Sequence, residues 1–342
     1  MDTHRRDDDT TPRTRDRHHG GHRIRIVGPN PAMDRIEYLD RLEPHTVNRS
    51  LETRILPGGK SLIVARAVSR LGGRPVLYGF LGGVVGRYIS EQCATLGIED
   101  RHTVISGETR INPVLVERST GHSTVINETG PTIRPQEAER LLRALADDCA
   151  EGDHVVLTGS LPPGLGPDYY GELVTAVRSR GARALVDTSG PALVAAVRHD
   201  PWLVKCNFEE FTTAFGVPAA TADPADLVPA LRDLLGGGLK TVVVTLGAQG
   251  LLAVTADRAL TVLPPAVRTV NATGSGDTFL AAFALACARG AGLEEALRQG
   301  TAAAAANAAV LEPDLGPSPD LTALLAGVRV RHPRPLAPEV TP

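Results

Sequence analysis

From about residue 131 onward, short runs of β-branched and aliphatic residues alternate with longer amphipathic stretches. The runs His154–Thr158, Ala184–Asp187, Leu203–Lys205 and Thr241–Leu246 are of strand length and almost wholly apolar, the pattern of strands buried on both faces. Between and before them, apolar positions recur at helical spacing over Pro135–Ala150, Asp168–Arg180 and a segment near Ala225–Leu235. Strand and helix in alternation predict a mostly parallel central sheet covered on both sides, a three-layer α/β/α fold. Upstream, Ile24–Val27 predicts a first strand, and Ser61–Leu71 a helix closed by Gly72 and Gly73. Two segments break the rhythm, about 34–57 and 103–127. Their short β-like stretches alternate with turn residues and predict a small β lid over one edge of the sheet. No internal repeat is visible.

Composition narrows the function without choosing it. A chain of 342 residues can bury one large core. A formal net charge of -3 provides no basic field for nucleic acid or acidic lipid, and 4% aromatics leave little for base stacking. Cys93, Cys149, Cys206 and Cys287 are too scattered for a disulfide frame or a zinc site and read as buried thiols of a cytoplasmic protein. No apolar run reaches membrane-spanning length. Residues 1–22 are charged and lack an apolar core, so they predict a disordered tail, and 328–342 a Pro-rich one. The ordered part is expected over 23–327.

In parallel sheets ligands bind beyond the carboxyl ends of the strands, so the loops after the strands carry the chemistry. The sharpest is Asn271–Phe279, reading NATGSGDTF, directly before a helix predicted over Thr278–Arg289. Gly274, Ser275 and Gly276 let successive N–H groups converge where a helix already focuses partial positive charge. Asp277 would repel a bound phosphate, yet it suits a base that takes a hydroxyl proton while those N–H groups hold the transferred phosphoryl. The bland alternative, an acid favouring the helix dipole, is equally compatible with these four residues alone. Two rival motifs fail. Gly59-Lys60-Ser61 resembles the end of a P-loop, but the first glycine that motif needs falls on Arg54, and no GxGxxG follows a strand.

Taken in order, further segments resemble the ribokinase/PfkB carbohydrate kinases, especially the branch of 1-phosphofructokinase and tagatose-6-phosphate kinase. NPAMD at 30–34 is similar to that branch's NPxxD, GGK at 58–60 to its first signature, and GETRIN at 107–112 to its phosphate-reading segment. TGSLPPG at 158–164, KCNFEE at 205–210, TLGAQG at 245–250 and GSGD at 274–277 complete the series. The resemblance implies a ribokinase-like fold and Mg²⁺-dependent transfer from ATP to a sugar phosphate. It implies Asp277 as base and Gly274, Ser275 and Gly276 as anion hole. Asp34, Gly59, Lys60, Arg110 and Ser160 fall on the acceptor side, and Asn207, Thr245, Gly247 and Gly250 on the nucleotide side. Glu210 and Asp187 match positions near Mg²⁺, acting indirectly or through water. Members often pair through their lids, which implies a homodimer.

The bland readings stand beside these: Asn207 and Glu210 as a capping box, Arg110 as a surface ion pair, Asp34 and Asp187 as caps. The chain also departs from the pattern. Ser61 stands where the first signature has Gly, and Ile63 where it has an Asn that binds sugar hydroxyls; Cys206 replaces a Pro. The departures at Ser61 and Ile63 fall on the acceptor side. They leave open a kinase retuned to another sugar or specialised metabolite and, in a different class, a non-catalytic sugar- or nucleotide-binding regulator.

Overall fold

The computed structural model describes residues 21–217, 224–310 and 320–332. One sheet runs, in spatial order, Arg329–Arg331, Ala259–Leu263, Leu251–Val254, Thr241–Thr245, Leu203–Asn207, Arg183–Asp187, His154–Thr158, Arg23–Gly28, Arg74–Leu81 and Glu99–Asp100. Thr103–Val104 also pairs with Arg74–Leu81. Pairing is parallel from Thr241–Thr245 to Glu99–Asp100 and antiparallel through the last three strands. This is the ribokinase-like α/β architecture, and its central strands are buried nearly throughout because helices cover both faces.

One core layer packs Lys60–Arg70, Ser275–Ala288 and Leu293–Ala308 against the sheet. The other packs Pro135–Asp148, Tyr169–Arg178, Gly190–Val197 and Phe208–Phe215. Close packing of the first layer uses small residues: Gly300 faces the Phe279 ring with no room for a Cβ.

The lid is a separate four-stranded sheet in the order Glu52–Gly58, Ala32–Leu39, Arg110–Glu117, Ser123–Val125. Its register sets Asp34 opposite Asn112, Ile36 opposite Val114 and Tyr38 opposite Val116, so these six share one face. The second lid segment, expected from 103, begins only at Arg110, because Thr103–Val104 extends the main sheet. The C-terminal tail expected from 328 is corrected likewise. Val328 is buried, and Arg329–Arg331 adds a strand that covers an otherwise open sheet edge. Of the predicted tails, 1–20 and 333–342 lie outside the described residues. The segment near 225–235 splits into a 3₁₀ turn, Pro224–Leu227, and a short helix, Val228–Asp233. The helix expected from Thr278 begins at Ser275, which places Asp277 inside its first turn.

Candidate active site

Gly274 caps the helix Ser275–Ala288 with a φ of 77°, a left-handed conformation open to glycine at little cost. Ser275 N donates back to the Ala272 carbonyl at 3.2 Å, and the N–H groups of Gly276 and Asp277 that follow belong to the first turn, where a helix offers no internal acceptor. Asp277 is buried, and its Oδ1 has no protein partner. Burial is the main cause that pushes its carboxyl up to about 7. Asp187 and Glu210 act in the same direction, and the cations Lys60 and Lys205 oppose them.

Asp187 closes the strand Arg183–Asp187 with no exposed surface. One of its oxygens accepts from Lys205 Nζ at 2.8 Å and the other from Lys60 Nζ at 3.3 Å. Burial alone would raise this carboxyl, but the two ammonium charges outweigh it and hold the group below the usual range. The fields of Asp187, Asp277 and Glu210 in turn hold Lys60 protonated against its own burial, Asp187 most strongly.

A cleft of about 890 Å³ opens between lid and main sheet. Asp34, Gly59, Lys60, Arg110 and Ser160 all line it, as do Ile63 and Glu210. Asp34 accepts from Asn112 Nδ2 at 3.1 Å and from the Gly59 N–H. Burial raises its pKa nonetheless; the Asn112 bond and the charges of Arg66 and Arg110 only partly offset it. Gly58 is required here by close approach, since a Cβ would run into the Asp34 carboxylate. Arg110 directs its guanidinium to the Glu128 carbonyl at 2.8 Å and the Asn30 carbonyl at 2.9 Å. Ser160 Oγ accepts from Asn30 Nδ2 at 3.2 Å.

Asn207 and Glu210 cap each other: Glu210 N donates to Asn207 Oδ1 at 2.7 Å, and Asn207 N to Glu210 Oε2 at 2.9 Å. The capping box weighed from the sequence is therefore present, and it also points Glu210 at the Lys60 cleft. Thr245 pairs with Asn207 across adjacent strands, and Gly247 and Gly250 bound the turn that follows. Thr245, Gly247, Gly250, Asp187 and Asp277 do not line the cleft itself; Lys60 is the side chain common to cleft and buried charges.

The sequence reading gave no role to Lys205, Asn30 and Asn112, although each lies inside a quoted motif. Lys205 Nζ lies 2.7 Å from where a Cβ on Gly276 would stand, beside the glycine turn. The signal was available, since a lysine inside an otherwise apolar strand needs a buried counter-charge.

A glycine turn on a helix N-terminus, a buried carboxylate beside it, a buried lysine and a second, partly exposed lysine reaching the cleft, at the carboxyl ends of a parallel sheet, define a phosphotransferase of the ribokinase-like class. The pfkB family carbohydrate kinase model matches residues 26–319. The chain is 33% identical over 307 residues to a 1-phosphofructokinase of Bacillus subtilis, covering 90% of this chain and 99% of that one. It is 35% identical over 257 residues to a tagatose-6-phosphate kinase of Staphylococcus epidermidis, covering 75% and 82%. In structure it superposes on the tetrameric inhibited form of phosphofructokinase-2 from Escherichia coli with a TM-score of 0.82 at 29% identity, covering 89% and 98%. The chain belongs to the pfkB family of carbohydrate kinases. It is an ATP-dependent phosphotransferase, and no helix among its described residues is long and apolar enough to cross a membrane.

Proposed function

We propose that this kinase phosphorylates a hydroxyl of a hexose phosphate in the cytoplasm, with fructose 1-phosphate, tagatose 6-phosphate and fructose 6-phosphate as the candidate acceptors. The observation that carries the reading is the position of Lys60, which lines the acceptor cleft with Asp34 while pairing with Asp187 in the field of Asp277. Asp34, assisted by Asn112, would accept from sugar hydroxyls, and Arg110 and Ser160 would bound the acceptor's own phosphate. Asp277 would take the proton of the attacking hydroxyl. As the bond from that oxygen to the γ-phosphorus forms, the bond from phosphorus to the ADP oxygen breaks. The 274–276 N–H groups and Lys60 then face the charge on the transferred group. Thr245, Gly247 and Gly250 would bound the nucleotide.

The donor set suits Mg²⁺ that arrives with the triphosphate. Asp187 has both oxygens engaged by lysines, Glu210 has one engaged by the Asn207 N–H, and the described residues contain no cluster of three or more metal-binding side chains. Glu210 would therefore hold the ion through water, as Mg²⁺ prefers to keep part of its hydration, and Asp187 would act through its lysines. When bound, the ion neutralises phosphate charge.

A homodimer joined through the lids is part of the same reading. Ile36, Val114 and Val116 form an apolar stripe on the cleft-facing lid surface, beside Tyr38 with Arg54 and Arg118 over its ring. Equilibrium sedimentation of wild type and Val116→Asp tests it, a monomer for both being the result against it.

The deciding experiment is ADP release on a panel of sugars and sugar phosphates, with MgCl₂ and with EDTA. Acceptor-dependent, Mg²⁺-dependent turnover on a hexose phosphate is expected. Turnover confined to unphosphorylated sugars, or undiminished in EDTA, would overturn the reading.

A further inference from the structure

The helix Leu293–Ala308 ends on an alanine-rich run, residues 302–306, followed by one polar side chain, Asn307. Asn307 is the last residue but one of the helix, and its polar side chain has no exposed surface, so it needs partners inside the protein. Its carboxamide leaves the helix and reaches the phosphate turn. Nδ2 donates to the Thr273 carbonyl at 2.9 Å and to Ser275 Oγ at 3.1 Å. Oδ1 has no protein partner. This orientation of the amide follows from chemistry, because turning it over would set oxygen against the Thr273 carbonyl. The next residue adds two main-chain bonds, as the Ala308 carbonyl accepts from Val270 N at 2.7 Å and from Asn271 N at 3.2 Å.

Thr273 and Ser275 flank Gly274, the one residue of the turn in the left-handed region. Glycine permits that conformation but does not hold it, since it is equally free to leave it. Within the turn, Thr273 N donates to Asn271 Oδ1 at 2.9 Å and Ser275 N to the Ala272 carbonyl at 3.2 Å, bonds that close the loop on itself but do not anchor it to the rest of the fold. We propose that Asn307 is the positioning residue of the phosphate turn: by clamping both neighbours of Gly274 it presets the donors that face the transferred phosphoryl. The proposal rests on the reading of residues 274–276 as the anion hole. Preset donors act in the transition state because they need no reorganisation there. Asn307 therefore bears on kcat rather than on acceptor affinity.

Three substitutions at 307 separate positioning from core filling. Asn307→Asp keeps shape and size but turns an acceptor toward the Thr273 carbonyl, Asn307→Ala removes the clamp, and Asn307→Ser keeps one donor on a shorter arm. With the best acceptor of the panel, the Asp and Ala variants are expected to lose on the order of 10²-fold in kcat at little-changed acceptor KM, with Ser retaining part of the rate. Combining Asn307→Ala with Ser275→Ala is expected to cost less than the product of the two single losses, since each breaks the same contact. Thermal melts report the fraction folded, so that kcat is expressed per folded molecule. Lowered melting points with unchanged kcat per folded molecule in all three variants would overturn the proposal, leaving Asn307 a packing residue. Gly274→Val, which strains the left-handed φ of 77° and so shifts the 274–276 backbone without touching Asn307, tests the anion hole separately. If it loses activity while Asn307→Asp does not, only the inference about Asn307 fails; if it retains full activity, the anion-hole reading fails and takes the inference with it.

Discussion

Lys205 and Asp187 form an ion pair of 2.8 Å with almost no exposed surface on either side chain. Its cost in desolvation is repaid only while both partners are present. Asp187→Asn leaves Lys205 buried without a counter-charge and Lys60 without its main partner, so a loss of about 3–5 kcal/mol in urea unfolding is expected. The acid limb checks the same pair. The folded-state pKa of Asp187 is depressed, so its contribution is present above the ordinary aspartate range and is lost as pH falls through the lower folded value. Stability of the wild type should therefore fall more steeply in acid than that of Asp187→Asn; parallel curves would show that the pair contributes nothing.

Asp277 shifts the other way, and the consequences have the opposite sign. A base must be deprotonated, so kcat/KM should rise with pH through about 7, the value to which burial first and the neighbouring acids second push the group. Asp277→Asn should lose about 10²–10⁴-fold in kcat while still binding ATP. For stability, a raised folded pKa means that protonation favours the folded state and that ionisation above about pH 7 costs it stability. The Asn variant should melt above the wild type at pH 8, with the gap narrowing as pH falls toward about 4, the unperturbed aspartate value. Near-wild-type kcat in the variant would remove Asp277 from the role of base.

Arg110 presents a different balance, since two arms of its fork already hold the carbonyls of Glu128 and Asn30. The side chain thus ties the lid strand Arg110–Glu117 to the loop after the first strand, as well as facing the cleft. Arg110→Ala should raise KM for a phosphorylated acceptor by an amount equivalent to about 1.5–3 kcal/mol, the range for hydrogen bonds to charged groups, with a smaller effect on ATP. Arg110→Lys should rescue little, because a point charge cannot bridge two carbonyls. Full rescue by Lys would reduce the role of Arg110 to charge alone.

The alternating half of the chain was legible because its strands are short, mostly apolar runs and most have a periodic helix beside them, though the helix Gly190–Val197 went unread. The strand Arg74–Leu81 was not, since Pro75 and Gly79 interrupt it. Pro75 sits at its start and Gly79 lies where a Cβ would meet the Gly28 carbonyl, both tolerable for reasons visible only in three dimensions. The hairpin Leu251–Val254 to Ala259–Leu263 likewise reads too short to declare itself. In the site, Asp34, Gly59, Lys60, Arg110, Ser160 and Glu210 line one cleft and Asp187 pairs with Lys60 and Lys205 beneath it, while Asn207, Thr245, Gly247 and Gly250 line no part of that cleft. What the motifs concealed was the supporting chemistry. The partners of Asp34, Ser160 and Asp187 are Asn112, Asn30 and Lys205, whose importance lies in contacts across 78, 130 and 18 positions of sequence.

Ile63 lines the cleft proposed to hold the acceptor, with its side chain mostly buried, at a position where the resemblance leads one to expect an asparagine. An amide there both donates and accepts, whereas Ile does neither, so a hydroxyl facing it loses a partner at about 1–3 kcal/mol if water cannot replace it. Ser61, polar where a glycine is expected, lies two positions earlier in the helix and lines the same cleft, but its side chain packs directly against Gly28. It is therefore poorly placed to reach out as a substitute. The prediction is that Ile63→Asn shifts acceptor choice. Measured as kcat/KM across fructose 1-phosphate, fructose 6-phosphate, tagatose 6-phosphate and their deoxy analogues, one ordinary hexose phosphate should improve about tenfold, or 1.4 kcal/mol. Its deoxy analogue, lacking the hydroxyl, should not improve. Such a pair of results would mean that the wild-type cleft is tuned to an acceptor presenting carbon rather than oxygen at that point. Ratios that stay flat across the whole panel would show that Ile63 packs against the lid without reading the sugar.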